Sequence, residues 1–295
     1  LSTANITVTD NVDKSEADII DAYSDTSGTV TLTSITDTVS NITAVNTNAN
    51  ISLATSAITV TDAASFANAD AINGFTTGQV TLNSVEDTYA KIQDIKSIPD
   101  GQVDMGAAAV KVSDNVTKTE VDDLRTDTTG DITLTSLTED KGDLATINGF
   151  ADVILSTANI TVTDNVDKSE ADTIDAYSDT SGTVTLTSIT DTVANVTAVE
   201  NNANISIASA AVTVTDAATL VNANAINGFT SGQVTLNVVQ DTVSNITTID
   251  GLTTTQVSMA AAAVTVTDAA TLANAKAINN FTTGQVTLNK ASDTY

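Results

Sequence analysis

Aspartate and glutamate are the side chains of this sequence whose spacing suggests chemistry. The opening stretch LSTANITVTDNVDKSEAD contains Asp10, Asp13, Glu16 and Asp18. Clustered carboxylates are typical calcium ligands, and an EF-hand loop requires an acid at its third position, Gly at its sixth and Glu at its twelfth. Counted from Asp10, those positions hold Val12, Ser15 and Asp21. The glycine-rich nonapeptide of calcium-binding β-rolls is also missing, so neither type of calcium loop is predicted.

The composition excludes several other kinds of site. The sequence has no His and no Cys, which removes an imidazole base, a thiol nucleophile and the usual zinc or copper ligands. A formal net charge of -27 repels nucleic acid and anionic membranes. The longest apolar runs are far too short to span a bilayer. We therefore expect no nucleic-acid partner and no membrane insertion.

The sequence is repetitive on two scales. Residues 1–39 return as 155–193 with one difference, Ile19 against Thr173. A shorter motif, [IV]-x-V-[TS]-D, starts at positions 50 or 52 residues apart, which are Ile6, Ile58, Val110, Ile160, Val212 and Val264. A second motif, V-T-L or I-T-L, alternates with the first. Repeats of this length predict a stack of similar coils rather than a conventional globular core.

Cutting the chain before each motif gives alternating coils of about 23 and about 29 residues. Pairs of coils then form units of roughly 51 residues near 29–78, 79–130, 131–182, 183–232 and 233–284. The near-identical copies add a period of 154 residues, with one super-repeat over 1–154 and the next over 155–295. We predict one continuous solenoid over 1–295, and we expect it to be a segment of a longer chain.

The hydrophobic pattern predicts the elements of each coil. Segments such as VTLN and VTVTD alternate apolar and polar residues, which indicates strands with one buried face. After each Asp of a long coil, apolar residues recur three positions apart, as expected for one stripe of a short helix. The pairs are Ala17/Ile20, Ala69/Ile72, Val121/Leu124, Ala171/Ile174, Ala223/Ile226 and Ala275/Ile278, joined in three coils by Phe66, Leu220 or Leu272. The predicted fold is a right-handed solenoid of ββα coils with parallel strands.

The recurring Asp residues have two interpretations. Asp62, Asp216 and Asp268 lie where a helix N-cap is expected, and Asp10 lies at the same place before an acidic first turn. Asp18 and Asp21 then fall on the solvent side of the helix. Alternatively, Asp residues in register along a stack repel one another, and a divalent ion would relieve the repulsion. The candidate calcium ligands are Asp10, Asp62, Asp114, Asp164, Asp216 and Asp268. No cofactor is required under the first interpretation, whereas the second requires Ca²⁺.

The repeats also suggest two remote alternative functions, ice binding and polysaccharide cleavage. The pairs Thr7/Thr9, Thr59/Thr61, Thr161/Thr163, Thr213/Thr215 and Thr265/Thr267 are similar to the threonine ladders of ice-binding β-helices, although Lys111 and Ser113 break the series. A polysaccharide-active β-helix enzyme would need a few acids and bases that do not repeat. The unrepeated residues Pro99, Glu120, Asp122, Asp123 and Arg125 are interpreted as drift within one coil. The chain is therefore predicted not to be an enzyme.

The aligned segments VTVTDAATLANAKAINNFTTGQVTLN and VVQDTVSNITTIDG resemble repeats of very large secreted surface proteins of cyanobacteria and marine proteobacteria. Those proteins are adhesin-like, S-layer-like or filament-forming, and the resemblance covers essentially the whole chain. It implies an extracellular, non-enzymatic scaffold, often associated with calcium.

Two functions therefore remain open. The first is a structural protein that associates with itself into a filament, sheath or surface layer. The second is an adhesin or fibre stalk that binds glycan or a partner surface. The second would place aromatic residues on one exposed face, whereas the aromatic residues here recur at predicted core or turn positions, namely Tyr23, Phe66, Phe75, Tyr177, Phe229 and Phe281. This pattern favours the structural protein.

Overall fold

A computed structural model describes residues 4–24, 28–98, 102–179, 181–252 and 256–292. The chain divides into two compact units, one formed by 1–136 with 147–155 and the other by 137–146 with 156–295. The division falls close to the predicted boundary of the 154-residue super-repeat. Whether 1–295 forms a single continuous solenoid stays a prediction.

Strands and short helices alternate along the described chain. In the first super-repeat they are β1 (Ile6–Val12), α1 (Lys14–Ser24), β2 (Val30–Asp37), α2 (Val39–Thr47), β3 (Ile51–Ser52), β4 (Ala57–Ala64), α3 (Phe66–Asn73), β5 (Val80–Asp87), α4 (Tyr89–Lys96), β6 (Val103–Asp104), β7 (Ala109–Val116), α5 (Lys118–Asp127), β8 (Ile132–Glu139), α6 (Lys141–Asn148) and β9 (Val153–Ile154). In the second they are β10 (Asn159–Val166), α7 (Lys168–Asp175), β11 (Val184–Asp191), α8 (Val193–Glu200), β12 (Ile205–Ser206), β13 (Ala211–Ala218), α9 (Leu220–Phe229), β14 (Val234–Asp241), α10 (Val243–Gly251), β15 (Val257–Ser258), β16 (Ala263–Ala270), α11 (Leu272–Phe281) and β17 (Val286–Ala291).

The strands of consecutive coils pair in parallel, so the predicted solenoid-like arrangement of parallel strands and short helices is confirmed. Thr31 of β2 pairs with Ser52 of β3, and Thr59 of β4 pairs with Thr81 of β5. A long coil has a two-residue strand, a tight turn and an eight-residue strand, whereas a short coil has one eight-residue strand. The two-strand pattern therefore belongs to the long coils alone. The handedness of the coils stays a prediction.

Along each strand, alternate side chains point inward and form the core. In β2, Val30, Leu32 and Ile35 are fully buried, whereas Thr31 and Thr33 point to the other face of the sheet. Aliphatic side chains of this kind recur in every inner coil and pack against the helices. Within each unit, stacking thus buries an aliphatic core, which explains how a chain with 3% aromatic residues folds.

The predicted helix stripe is confirmed in the inner long coils and weakens in the outermost coils. Ala69/Ile72, Val121/Leu124, Ala171/Ile174 and Ala223/Ile226 are all buried. In contrast, Ile20 in the first coil and Ala275 in the last long coil are half-buried, and Leu272 is 58% exposed. Tyr23, predicted at a core or turn position, lies near the end of α1 and is 64% exposed, so it is not a core residue. These side chains lie in the first and last described coils, where one neighbouring coil is missing from the described residues.

The predicted N-caps are wrong by three residues. Asp62, Asp216 and Asp268 lie inside β4, β13 and β16, and the helices are capped by Ser65, Thr219 and Thr271. In the first coil Asp10 lies inside β1, and the Oδ1 atom of Asp13 accepts the N–H of Glu16 at 2.9 Å. The register shift between Val60 and Ala63 shows the reason, because Asp62 occupies a β-bulge and the strand continues beyond it.

Candidate functional site

The recurring Asp of the long coils joins each coil to the coil before it. Five of the six candidate residues use their Oδ1 atom to accept the first main-chain N–H of the preceding short-coil helix. The pairs are Asp62 with Val39 at 2.8 Å, Asp114 with Tyr89 at 2.8 Å, Asp164 with Lys141 at 3.0 Å, Asp216 with Val193 at 2.7 Å and Asp268 with Val243 at 2.9 Å. The bulge aims the carboxylate at a neighbouring helix, and the local Ser or Thr caps the helix of its own coil.

Asp10, the sixth candidate, accepts no helix N–H among the described residues. It lies on the exposed part of β1, and no main-chain donor from another coil contacts it among the described residues. It lines an open groove of 330 Å³ with Val8, Asn11 and Ile19. The same residue type at the same place in the repeat is therefore bonded in the inner coils and solvated in the first.

A second row of Asp residues, which the sequence analysis did not identify, makes the reverse connection. The last strand residue of a short coil accepts, through Oδ2, the first N–H of the preceding long-coil helix. The pairs are Asp37 with Lys14 at 2.8 Å, Asp87 with Phe66 at 3.0 Å, Asp191 with Lys168 at 2.9 Å and Asp241 with Leu220 at 2.8 Å. The D-T dipeptide that recurs at the ends of β2, β5, β11 and β14 was the available signal. Together the two rows link long to short coils and short to long coils.

Three carboxylates of this second row, Asp37, Asp191 and Asp241, are held in their charged form. Burial alone would raise the pKa of Asp37, but the N–H groups of Lys14 and Thr38 and the side-chain amide of Asn41 hold that pKa below its usual value. Asp191 and Asp241 have lowered pKa values for the same reason. Each of these charges lies at a helix N-terminus, where the helix dipole favours an anion. The arrangement therefore stabilises contacts between coils.

The described residues show no cluster of three or more Asp, Glu, His or Cys side chains that could hold a metal ion. In the inner coils, each candidate calcium ligand already accepts a main-chain N–H through one oxygen. A hard cation such as Ca²⁺ requires six to eight oxygen ligands, and here it would have to gather them from separate coils. The donors around the five candidate Asp residues other than Asp10 thus fit helix capping better than a calcium site.

One further prediction about an acidic residue needs correction. Asp21 was expected on the solvent side of α1, but it is half-buried and its Oδ2 atom accepts the side-chain N–H of Asn48 at 2.9 Å. The copy repeats this contact between Asp175 and Asn202 at 3.0 Å. Asp18 does lie at the surface, where it pairs with Lys14 at 2.5 Å. The face of the helix that contacts the following coil is therefore wider than the predicted stripe.

Of the residues interpreted as drift, Asp123 and Arg125 form contacts with neighbouring coils that the structure does not repeat elsewhere in its described residues. Glu120 and Asp122 instead form the contacts within their own helix that Glu16 and Asp18 form in the first coil. The Tyr89 hydroxyl donates to Asp123 at 2.8 Å, and burial together with this carboxylate raises the pKa of Tyr89 to about 12. The Arg125 side chain pairs with Asp152 at 2.8 Å and stacks over the ring of Phe150, 3.7 Å from its centre. Lys96 and Gln93 both bind Asp127. Pro99 lies outside the described residues. The described residues that form these contacts are named here the unrepeated cluster; they are Tyr89, Gln93, Lys96, Asp123, Arg125, Asp127, Phe150 and Asp152.

Threonine rows run across the outer face of the sheet. One row joins Thr36, Thr59 and Thr81, and another joins Thr190, Thr213 and Thr235. At the corresponding place between β5 and β7 the residues are Glu86 and Lys111, which form an ion pair at 2.7 Å. The rows are thus interrupted by charge, and ice binding stays a remote prediction.

Neither the membrane test nor comparison with known proteins assigns a function to these contacts. None of the described helices is long and apolar enough to cross a bilayer. The chain matches no family model, no curated protein sequence and no solved structure.

Proposed function

We propose that the chain is a structural protein, a repetitive extracellular scaffold that builds a filament, sheath or surface layer. The observation that carries the proposal is the use of the recurring carboxylates. The residues that suggested chemistry in the sequence accept helix N–H groups from the neighbouring coil, and they do so in one inner period after another. A scaffold of this kind gains length by adding equivalent periods, and each period needs only a contact to its neighbours.

The basic residues support a scaffold without catalytic activity. Eight of the ten Lys and Arg side chains lie within 4.0 Å of a carboxylate: Lys14, Lys91, Lys96, Lys111, Lys118, Arg125, Lys141 and Lys168. A transition-state site would require such groups to converge on a cleft. The excess negative charge keeps the protein soluble before assembly. The resemblance of the repeats to large secreted surface proteins supports the extracellular location.

Electron microscopy of the native assembly, with and without a calcium chelator, tests this function. We expect regular filaments or sheets whose axial repeat is a whole number of coils. We also expect them to survive the chelator, because the Asp residues are already bonded to helix N–H groups. Isolated particles with affinity for a glycan would contradict the structural function. Regular assemblies that dissolve in the chelator would instead support the calcium alternative.

A second candidate is a binding module, and the unrepeated cluster favours it. Aromatic and charged side chains meet there, with Arg125 over the ring of Phe150. Outside this cluster, the Lys91 ammonium lies 4.8 Å from the centre of the Phe66 ring. A glycan or protein partner could be recognised by such a combination. Glycan-array binding that is lost in Arg125→Ala and retained in Lys168→Ala would support this module. Lys168 is a suitable control because its ion pair with Asp172 lies in another coil.

A further inference from the structure

One groove of the first unit is built from residues that its internal copy does not have. It lies between α3 and α4, has a volume of 360 Å³ and is lined by Phe66, Asp70, Lys91, Asp94, Ser97 and Ile98. The residues 154 positions later are Leu220, Asn224, Asn245, Thr248, Gly251 and Leu252, so all six differ. The strands between these helices change less, since VTLN starts both at Val80 and at Val234. The groove is therefore a local departure from the repeat.

Both walls of this groove are held in place by the coils that follow them. The first N–H of α3, that of Phe66, donates to Asp87 at 3.0 Å. The first N–H of α4, that of Tyr89, donates to Asp114 at 2.8 Å, and the Tyr89 hydroxyl donates to Asp123. A groove with fixed walls loses little conformational freedom when a ligand binds, so more of the contact energy becomes affinity.

The polar groups of the groove are both donors and acceptors of hydrogen bonds. The Lys91 ammonium pairs with Asp94 at 2.7 Å and lies 4.8 Å from the centre of the Phe66 ring. The two side chains of this ion pair are 50% and 47% exposed, so both remain accessible. Asp70 is exposed and forms no ion pair with the residues that the structure describes. A ligand in the groove thus meets two carboxylates, one ammonium group and an aromatic ring.

These groups favour one class of ligand. An anion is repelled by Asp70, Asp94 and the net charge of -27. A cation would have to displace the Lys91 ammonium from the Phe66 ring. An apolar ligand would remove three charged groups from water without replacing their hydrogen bonds. An uncharged ligand with several hydroxyls avoids all three costs, because a hydroxyl can donate to a carboxylate and accept from an ammonium group.

We propose that the groove between α3 and α4 binds an uncharged sugar unit of a glycan. Asp70 and Asp94 accept hydrogen bonds from its hydroxyls, Lys91 donates to them, and its C–H face packs against Phe66 beside the ammonium group. The volume of 360 Å³ lies within the range of about 300–1,000 Å³ that is typical of small-molecule sites. This site goes beyond the structural function and does not depend on it. It also differs from the unrepeated cluster in the residues that contact the ligand.

Glycan-array screening and titration calorimetry of the 295-residue chain test the site. The probes are neutral oligosaccharides of glucose, galactose, mannose or N-acetylglucosamine, with sulfated and sialylated oligosaccharides for comparison. We expect the chain to bind at least one neutral probe and none of the anionic ones.

Two variants borrow residues from the internal copy, so the fold is known to accept them. Phe66→Leu removes the ring and places in the groove the residue found at Leu220, and Asp70→Asn removes the charged acceptor and matches Asn224. Each should weaken binding of the neutral probe about tenfold. Asn224→Asp, the matched control in the second copy, should leave the affinity unchanged.

Four results would overturn the site. They are no binding of any neutral probe at about 1 mM, a preference for anionic probes, equal effects of Asp70→Asn and Asn224→Asp, and binding that survives Phe66→Leu but is lost in Arg125→Ala. The last result would place the glycan on the unrepeated cluster. Regular assemblies without glycan affinity would remove the groove and leave the structural function intact. Glycan affinity in isolated particles would do the reverse, so the two failures are distinguishable.

Discussion

At the scale of the residue, the Asp of each inner coil acts on a helix that is not its own. The first N–H groups of a helix have no partner within the helix, and a carboxylate that accepts one of them also benefits from the helix dipole. Each such contact contributes on the order of 0.5–2 kcal/mol to stability. Because the helix and the Asp belong to consecutive coils, each contact caps a helix and also stabilises the packing of one coil on the next.

The contact between Asp216 and Val193 gives the first prediction. Asp216→Ala removes the acceptor of the Val193 N–H and should lower the free energy of unfolding by about 1 kcal/mol in urea denaturation. Asp10→Ala is the matched control, since Asp10 has the same place in the repeat and accepts no helix N–H among the described residues. Its free energy of unfolding should stay that of the parent chain. Equal losses in both variants would contradict the capping role.

The lowered pKa values of Asp37, Asp191 and Asp241 predict acid sensitivity. A carboxyl whose pKa is lower in the folded chain adds stability above its unfolded pKa of about 3.9. This stability is lost as the pH falls through the folded value. We therefore expect the free energy of unfolding to decrease below about pH 4, and Asp191→Asn to make that decrease shallower. An unchanged pH profile in Asp191→Asn would contradict the assignment.

At the scale of the element, four of the long coils are closed by a Thr and a Gly after the helix. The Thr230 hydroxyl donates to the main-chain oxygen of Ala210 at 2.6 Å and accepts the N–H of Gly232 at 2.8 Å. A Cβ atom at Gly232 would lie 2.1 Å from that same Ala210 oxygen. The turn thus requires a glycine because a backbone carbonyl occupies the space of a side chain.

Replacing either of two glycines of one coil, Gly232 and Gly228, distinguishes this steric effect from the general effect of replacing glycine by alanine. Gly232→Ala should lower the free energy of unfolding by about 2 kcal/mol, because the backbone of the turn must move. Gly228→Ala, in α9 with no atom within 4 Å of the added Cβ, should be neutral or stabilise by up to about 1 kcal/mol. Thermal unfolding of the two variants measures both effects. A similar loss of stability in both variants would show that the short distance between Gly232 and the Ala210 oxygen is unimportant.

The elements were predictable from the sequence where burial decides them. Alternation in VTLN and the spacing of Ala69 and Ile72 follow directly from which face is covered, so strands and helix stripes were predicted correctly. The caps were not predictable, because the bulge at Asp62 adds a strand residue without changing the apolar pattern. The partner of that Asp, Val39, is 23 residues away in another coil, and no local rule identifies it.

At the scale of the whole molecule, the contacts described in each unit join coils that follow one another. β11 pairs with β12 and β13, and β14 pairs with β15 and β16. Stability in such a stack is approximately a sum of coil energies and nearest-neighbour contacts. A change in one coil is therefore transmitted mainly to the coils beside it. This contrasts with a globular core, in which one cavity weakens the whole domain.

Native-state hydrogen exchange tests this local transmission with Asp216→Ala. The loss of about 1 kcal/mol should reduce protection roughly fivefold in Val193–Glu200 and Val234–Asp241, which flank the altered coil. Protection in Val39–Thr47 and Val80–Asp87 of the other unit should be unchanged, because no contact of Asp216 reaches them within the described residues. A uniform fall in all four segments would mean that the chain unfolds as one cooperative body. A fall confined to the flanking segments would show that each coil is stabilised by its neighbours, as a scaffold of repeated periods requires.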